Sequence, residues 1–175
     1  FVTFGCFNNF AKATDAMLGL WADILERTPG ARLAIKNQAV MCPSVAHRVR
    51  EFFQSRGIPP PRLELMPPTP AWADHLRCYN RVDIALDTFP YNGTTTTCEA
   101  LWMGVPTVTL AGDCHRSRVG LSLLTGAGLP EFVAHTPAAY VETAVAAAGD
   151  RGHLATLRAE MRQRMAAAAL MDSRR

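Results

Sequence analysis

Residues 86–106 contain the side chains best suited to bind an anionic ligand. An apolar run leads through an Asn92-Gly93 turn into four consecutive threonines and then Glu99. The first amides of a helix have no partner within the helix and lie at the positive end of its dipole. A helix beginning in the threonine run therefore predicts a phosphate site, with threonine hydroxyls as added donors. Glu99, about one turn later, could accept two hydrogen bonds from a ribose diol, although the spacing equally allows Thr94 as a simple N-cap and Glu99 as a solvated residue.

The loop after the first apolar run holds a second candidate group, Lys12, with Asn9 nearby. A lysine just beyond the carboxyl end of a strand can neutralise a diphosphate, and an asparagine amide adds a directional donor. Most lysines are simply solvated, so the position of Lys12 alone does not distinguish these two interpretations.

Two further loops carry flat or basic side chains. Trp72 and His75 follow a proline-rich stretch, and either ring could stack on a nucleobase or lie on the surface. His115, Arg116 and Arg118 follow a later apolar run, where they could contact an anion or cap the next helix.

Several common site motifs are absent from the sequence. It has no GxGxxG after a strand, no GxxxxGK[ST], no GxSxG, no HExxH, no CxxC pair and no DxD. These absences count against dinucleotide, P-loop and zinc sites. A bound nucleotide diphosphate would therefore be neutralised by protein groups rather than by a metal or another cofactor.

The elements that must position these residues alternate between strand and helix along the whole chain. This alternation predicts an α/β fold, a doubly wound Rossmann-like parallel sheet without a domain boundary. Ligands bind such sheets at the carboxyl ends of the strands, where all four loops lie. We predict strands over 2–7, 32–35, 63–66, 82–86 and 107–110, and helices from Thr14 or Asp15 to Pro29-Gly30 and over 45–54, 70–79, 95–103, 118–124, 138–147 and 153–169.

Composition places the chain among ordinary globular domains. Its 175 residues, 49% of them hydrophobic, suffice for one core without disulfides or a metal. A net charge of +3 with scattered basic residues does not indicate nucleic-acid binding, and no apolar stretch is long enough to span a membrane. Five cysteines without a CxxC pair favour the cytoplasm. The first residue is Phe1, inside an apolar run, so we expect a fragment of a longer protein.

Residues 86–106 resemble the carboxyl-terminal catalytic lobe of the O-GlcNAc transferase and SPINDLY family. The resemblance rests on the motif Asp-Thr-Phe-Pro-Tyr-Asn-Gly followed by four threonines and Cys-Glu, and on shorter matches over 108–112, 117–120 and 129–131. It extends over residues 4–172 and implies a GT-B glycosyltransferase, an enzyme of two Rossmann-like lobes in which the second lobe holds the nucleotide-sugar donor. The whole chain, 1–175, is then a single nucleotide-sugar-binding lobe of the bacterial TPR-protein type.

The resemblance implies roles for individual residues. Lys12 matches the lysine that contacts the diphosphate and stabilises the leaving group, and Asn9 matches a neighbouring phosphate-contacting amide. His75 matches the histidine that packs on the base, and Glu99 the acidic residue that holds the ribose. The implied donor-binding set is Asn9, Lys12, His75, Gly93, Thr94, Thr95, Thr96 and Glu99, with Lys12 catalytic and with Trp72, His115 and Arg118 as further candidates.

The sequence does not decide between two nucleotide-sugar donors. Animal members of the family have a lysine three positions before the base-packing histidine, where this sequence has Trp72. The four threonines with Glu99, and His115, are more similar to SPINDLY proteins, some of which use GDP-fucose. UDP-GlcNAc is the first expectation and GDP-fucose the alternative.

The implied reaction is inverting, metal-independent transfer to a Ser or Thr hydroxyl of a protein. The family has its acceptor-side groups and TPR repeats upstream, so the isolated chain is expected to bind nucleotide weakly and transfer no sugar. Two other functions remain open: a catalytically silent lobe in a TPR scaffold, and an enzyme acting on small molecules or glycans.

Overall fold

A six-stranded parallel sheet forms the centre of the computed structural model, which describes residues 1–171. The strands lie in the order β3-β2-β1-β4-β5-β6. Their bounds are β1 Thr3–Cys6, β2 Arg32–Lys36, β3 Leu63–Met66, β4 Ile84–Leu86, β5 Thr107–Leu110 and β6 Val133–Ala134.

Helices connect the strands, and all seven helices predicted from the sequence are present. Their bounds are α1 Asp15–Arg27, α2 Pro43–Ser55, α3 Trp72–Cys78, α4 Thr95–Trp102, α5 Val119–Gly126, α6 Pro137–Gly149 and α7 Arg151–Ala167. Short 3-10 turns lie at Phe10–Lys12, Ala39–Met41, Pro60–Arg62, Tyr79–Arg81, His115–Ser117, Pro130–Phe132 and Ala169–Met171. The last four positions of the predicted lobe, 172–175, lie outside the described residues.

Several predicted elements are shorter by one or two residues at an end, and one strand was not predicted. The strand expected over 82–86 begins at Ile84, because Val82 ends a 3-10 turn and its amide donates to the Tyr79 carbonyl oxygen at 3.1 Å. The helix expected over 70–79 begins at Trp72. β6 has only two residues, too few for an alternating pattern to reveal.

Apolar side chains cover both faces of the sheet. Neighbouring strand residues point to opposite faces. On β2, Leu33 and Ile35 belong to the larger buried apolar cluster, whereas Ala34 between them belongs to a second cluster. On β4, Ile84 belongs to the larger cluster and Ala85 to the second one. The sheet is therefore doubly wound, as the alternation of elements predicts.

The core is tied directly to the carboxyl end of β4. The indole Nε1 of Trp21, on α1, donates to the Tyr140 hydroxyl on α6 at 3.2 Å. That hydroxyl donates to the Asp87 carbonyl oxygen at 2.9 Å. Trp21 and Tyr140 are both fully buried. The residue that follows β4 is thus fixed by the packing of two helices.

The strand order places a crevice between β1 and β4. The chain proceeds from β1 to β3 on one side of the sheet and from β4 to β6 on the other. Loops that leave the carboxyl ends of neighbouring strands in opposite directions form the usual ligand crevice of such sheets. Within residues 1–171, no helix combines the length and apolarity needed to cross a membrane.

Candidate functional site

A buried carboxylate, Asp87, organises the turn after β4. Its Oδ1 accepts hydrogen bonds from the Gly93 amide at 2.7 Å, the Thr88 amide at 2.8 Å and Asn8 Nδ2 at 2.9 Å. Its Oδ2 accepts from Thr109 Oγ1 at 2.7 Å. Burial raises the pKa of Asp87 to about 6, although these hydrogen bonds favour the charged form and lower it. Asp87 therefore ties the loops after β1 and β4 to strand β5.

The start of α4 presents backbone donors beside this turn. The first hydrogen bond of the helix runs from the Cys98 amide to the Thr94 carbonyl oxygen, at 3.0 Å. The amides of residues 95–97 therefore have no partner within the helix. The Thr94 side chain forms no capping hydrogen bond and is exposed. This helix start has the geometry of an anion site.

Gly93 allows the turn to lie against the loop after β1. A Cβ at this position would lie 2.5 Å from Asn8 Oδ1 and 2.6 Å from Thr96 Oγ1, closer than any side chain tolerates. Thr96 Oγ1 itself donates to Asn8 Oδ1. Asn8 therefore fixes the position of the α4 start relative to β1.

Lys12 points from the β1 loop toward the same turn. Its Nζ donates to the Asn92 carbonyl oxygen at 3.1 Å and lies 3.9 Å from the centre of the Tyr91 ring. Burial lowers the pKa of Lys12, and nearby Asp87 opposes this change. Within residues 1–171 no carboxylate forms an ion pair with Lys12. Its charge is available to an anion at the start of α4.

Asn9 caps the short helical turn that carries Lys12. Its Oδ1 accepts from the Ala11 amide at 3.1 Å, and the residue is exposed. This hydrogen bond uses the Asn9 carbonyl oxygen, and the amide NH2 group of the exposed side chain has no hydrogen bond among residues 1–171.

Glu99 is not a solvated helix residue. Its side chain is 13% exposed, and its Oε2 lies 2.9 Å from His75 Nε2 and 3.4 Å from the Tyr79 hydroxyl. His75 Nδ1 in turn lies 2.7 Å from the Nζ of Lys36, the last residue of β2. Burial, and then the negative charge of Glu99, raise the pKa of Tyr79 well above its ordinary value. The α3 and α4 candidates thus form one connected group.

The remaining sequence candidates lie at the rim. Trp72 is 67% exposed at the start of α3, so it does not pack against the core. His115 and Arg118 are exposed, and Arg118 Nη1 donates to the Gly112 carbonyl oxygen at 3.1 Å, within its own loop. That loop touches the site through its backbone, because the Asn92 amide donates to the Arg116 carbonyl oxygen at 2.8 Å.

The structure brings together the predicted residues of the β1 loop, α3 and α4, and it adds three that sequence reasoning missed. Asn8, Lys36 and Asp87 are all buried polar residues at the carboxyl ends of strands. Lys36 carried a signal, because it is one of only two lysines in the chain and ends an apolar run. Within residues 1–171 there is no group of three or more His, Cys, Asp or Glu side chains that could hold a metal ion.

The sheet order and the crevice at its switch point are those of a Rossmann-like lobe, and the solved structures that it matches are lobes of GT-B glycosyltransferases. A solved variant of the Thermobaculum terrenum O-GlcNAc transferase superposes with a TM-score of 0.91 at 42% identity, over 95% of this chain and 32% of that one. Staphylococcus aureus TarM, solved with fondaparinux, α-GlcNAc-glycerol and UDP, matches in fold with a TM-score of 0.70 at 12% identity, over 94% of this chain and 32% of that one.

The chain belongs to glycosyl transferase family 41, whose family model matches residues 1–175. It is 45% identical to the probable UDP-N-acetylglucosamine–peptide N-acetylglucosaminyltransferase SPINDLY of Solanum lycopersicum, over 98% of this chain. It spans only 18% of the length of that relative. The family and the fold expected from the sequence motif are both confirmed.

Proposed function

We propose that this chain is the donor-binding lobe of a longer enzyme that transfers N-acetylglucosamine from UDP-GlcNAc to serine or threonine hydroxyls of proteins. The observation that carries the proposal is the convergence of Lys12, the free amides at the start of α4, and Glu99 in one crevice. A diphosphate needs cationic and amide donors, and a ribose needs a carboxylate acceptor about one helical turn away. The crevice offers both in that order.

In the proposed complex the diphosphate lies at the start of α4. Thr95 and Thr96 supply backbone amides, Thr94 supplies its uncommitted hydroxyl, and Lys12 reaches the same turn from the loop after β1. Asn9 adds an amide donor beside Lys12. Gly93 lets the turn lie against the loop after β1, because any side chain there would collide with Asn8 and Thr96.

The nucleoside then extends toward α3. Glu99 accepts hydrogen bonds from the ribose hydroxyls, and the ring of His75 packs on the base. His75 already lies against Glu99 and near Phe7 and Tyr79, at ring-centre distances of 6.0 and 5.7 Å. An aromatic floor of this kind supports a planar base.

The reaction we propose is a single displacement with inversion. The acceptor hydroxyl forms a bond to the anomeric carbon while the bond from that carbon to the β-phosphate oxygen breaks. The electron pair of that bond remains on the nucleotide diphosphate, where negative charge develops. Lys12 and the α4 amides are preorganised to stabilise that charge without a metal. The hydroxyl proton passes to a base on the acceptor side, in the part of the enzyme that precedes this chain together with TPR repeats.

The donor base is proposed as uracil because the relatives are named for UDP-N-acetylglucosamine. The protein acceptor is proposed on the same ground, since those names describe peptide transferases. We also propose the cytoplasm as the compartment, which is supported by five cysteines that form no disulfide.

The test is sugar transfer by the longer enzyme, with labelled UDP-GlcNAc and GDP-fucose offered separately to a serine- and threonine-containing peptide. Transfer from UDP-GlcNAc supports the proposal. Transfer from GDP-fucose alone would show that the donor is GDP-fucose instead of UDP-GlcNAc.

The role of Lys12 is tested by a variant of the same enzyme. Lys12→Met is expected to lower kcat by roughly 10²–10³, the range for loss of one preorganised donor, without changing Tm. Arg48→Met, an exposed position paired with Asp15, is the matched control and should keep full activity. Nucleotide binding without transfer from either donor would instead indicate a silent lobe.

A further inference from the structure

Lys36 is a buried cation without an anionic partner. The residue is 5% exposed, and no carboxylate among residues 1–171 forms an ion pair with it. Its Nζ lies 2.7 Å from His75 Nδ1 and 5.7 Å from the centre of the Phe7 ring. Lysine is seldom buried unless it is paired, so this arrangement calls for a specific role.

The contact with Lys36 determines which nitrogen of His75 carries the proton. A lysine ammonium group has three donors and no acceptor, so His75 Nδ1 must accept. A neutral imidazole has one N–H, which then lies on Nε2. Nε2 lies 2.9 Å from Glu99 Oε2, where it donates. Lys36, His75 and Glu99 thus form a chain of hydrogen bonds with a single direction.

This chain of hydrogen bonds uses only one of the two oxygens of Glu99. His75 Nε2 donates to Oε2, and the Tyr79 hydroxyl lies 3.4 Å from the same oxygen while it donates to the Thr96 carbonyl oxygen at 3.1 Å. Glu99 Oε1 has no hydrogen-bond partner within residues 1–171. The carboxylate is therefore held by His75 on one side and has a free acceptor on the other.

We propose that Lys36 is a positioning residue of the donor site, which acts through His75. It fixes the Nε2–H form of His75, which holds Glu99 so that Oε1 can accept from the ribose of a nucleoside diphosphate. The ligand does not need to displace His75, because the two bonds use different oxygens of Glu99. The part that concerns ribose rests on the proposed function, whereas the protonated nitrogen of His75 can be measured without any ligand.

The first measurement is made on the unmodified 175-residue chain with isotope-labelled histidine. Proton–nitrogen correlation spectra of the imidazole rings distinguish the two neutral forms directly, and His75→Gln assigns the His75 signals among the five histidines. We expect His75 to carry its proton on Nε2 in the absence of nucleotide. A proton on Nδ1 would overturn the proposal, whatever the variants do.

The second measurement compares three variants by the same spectra and by calorimetry with UDP and GDP. Lys36→Met keeps the length of the side chain and removes its donors, so His75 should sample both neutral forms and nucleotide affinity should fall about tenfold, as expected for loss of one charged hydrogen bond. Lys36→Arg restores donors and should restore both properties. Arg81→Met, an exposed partner of Glu64, is the control for loss of a cation.

The outcomes separate this proposal from the proposed function. Unchanged spectra and affinity in Lys36→Met would overturn the role of Lys36 while nucleotide binding stands. A different outcome is that His75 carries its proton on Nε2, that Lys36→Met abolishes this preference, and that the chain binds neither UDP nor GDP. This outcome would support the role of Lys36 in positioning His75 and contradict the proposed donor site.

Discussion

Replacement of Asp87 by asparagine tests the electrostatics of the site most quantitatively. The side chain is 2% exposed and accepts four hydrogen bonds, so Asp87→Asn keeps its shape while it removes the buried charge. Oδ1 can still accept its three donors, and the new Nδ2 can donate to Thr109 Oγ1, which changes from donor to acceptor. The turn at Gly93 should therefore survive the substitution.

The magnitude follows from the pKa. Burial raises the pKa of Asp87 from 3.8 to about 6. Each pKa unit corresponds to about 1.36 kcal/mol, so the ionised carboxylate costs the folded state about 3 kcal/mol. The folded state retains its proton over a pH range in which the unfolded chain has lost it. This group therefore stabilises the fold fully below about pH 4, and that contribution is lost as the pH rises through about 6.

The assay is urea unfolding of the chain and of Asp87→Asn at several values between about pH 4 and about pH 7. The free energy of unfolding of the unmodified chain, minus that of the variant, should fall by about 2–2.5 kcal/mol over this range, since part of the full change lies below about pH 4. Asp113→Asn, an exposed carboxylate, controls for the chemistry of the substitution. A difference that stays constant with pH, or rises, would refute the assignment of a buried titrating carboxylate.

Three further predictions concern neighbouring residues. Gly93→Ala places a Cβ 2.5 Å from Asn8 Oδ1, so it should shift the start of α4. We expect urea unfolding to show a loss of about 1–3 kcal/mol in the free energy of unfolding, and calorimetry to show UDP binding at least tenfold weaker. Unchanged values in both assays would contradict the close approach of Gly93 to Asn8. Glu99→Gln should weaken UDP binding about tenfold and leave pyrophosphate binding unchanged, and equal losses for both ligands would exclude a ribose contact. Tyr140→Phe leaves the Trp21 Nε1–H buried without its acceptor, so we expect a loss of about 1–3 kcal/mol in urea unfolding with UDP affinity retained, and no loss would show that this bond is dispensable.

Helices with clear caps and apolar periodicity could be predicted well from the sequence. α1 begins after Thr14, whose Oγ1 accepts from the Met17 amide at 3.2 Å, and the chain turns at Gly30 with a φ of +82°. α4 begins at Thr95 as expected. Short edge elements were harder, because the two residues of β6 carry no periodicity and are defined only by pairing with β5.

The candidate site was only partly predictable, because many of its contacts join residues that are far apart in the sequence. The spacing of Gly93, the threonines and Glu99 is local, so the sequence could indicate a phosphate-binding helix start. The buried partners Asn8 and Asp87 are 79 residues apart, and their hydrogen bond depends on β1 and β4 being neighbours. Lys36 reaches His75 across 39 residues. Such contacts depend on the sheet order, which a single sequence does not reveal residue by residue.

The central claim is that the crevice between β1 and β4 binds a nucleoside diphosphate through Lys12, the α4 amides and Glu99. Calorimetry of the 175-residue chain with UDP and GDP tests it most directly. We predict saturable binding of one nucleotide per chain, stronger for UDP, which Lys12→Met weakens and the exposed control Arg48→Met does not. Absence of binding, or binding that Lys12→Met leaves unchanged, would contradict the account.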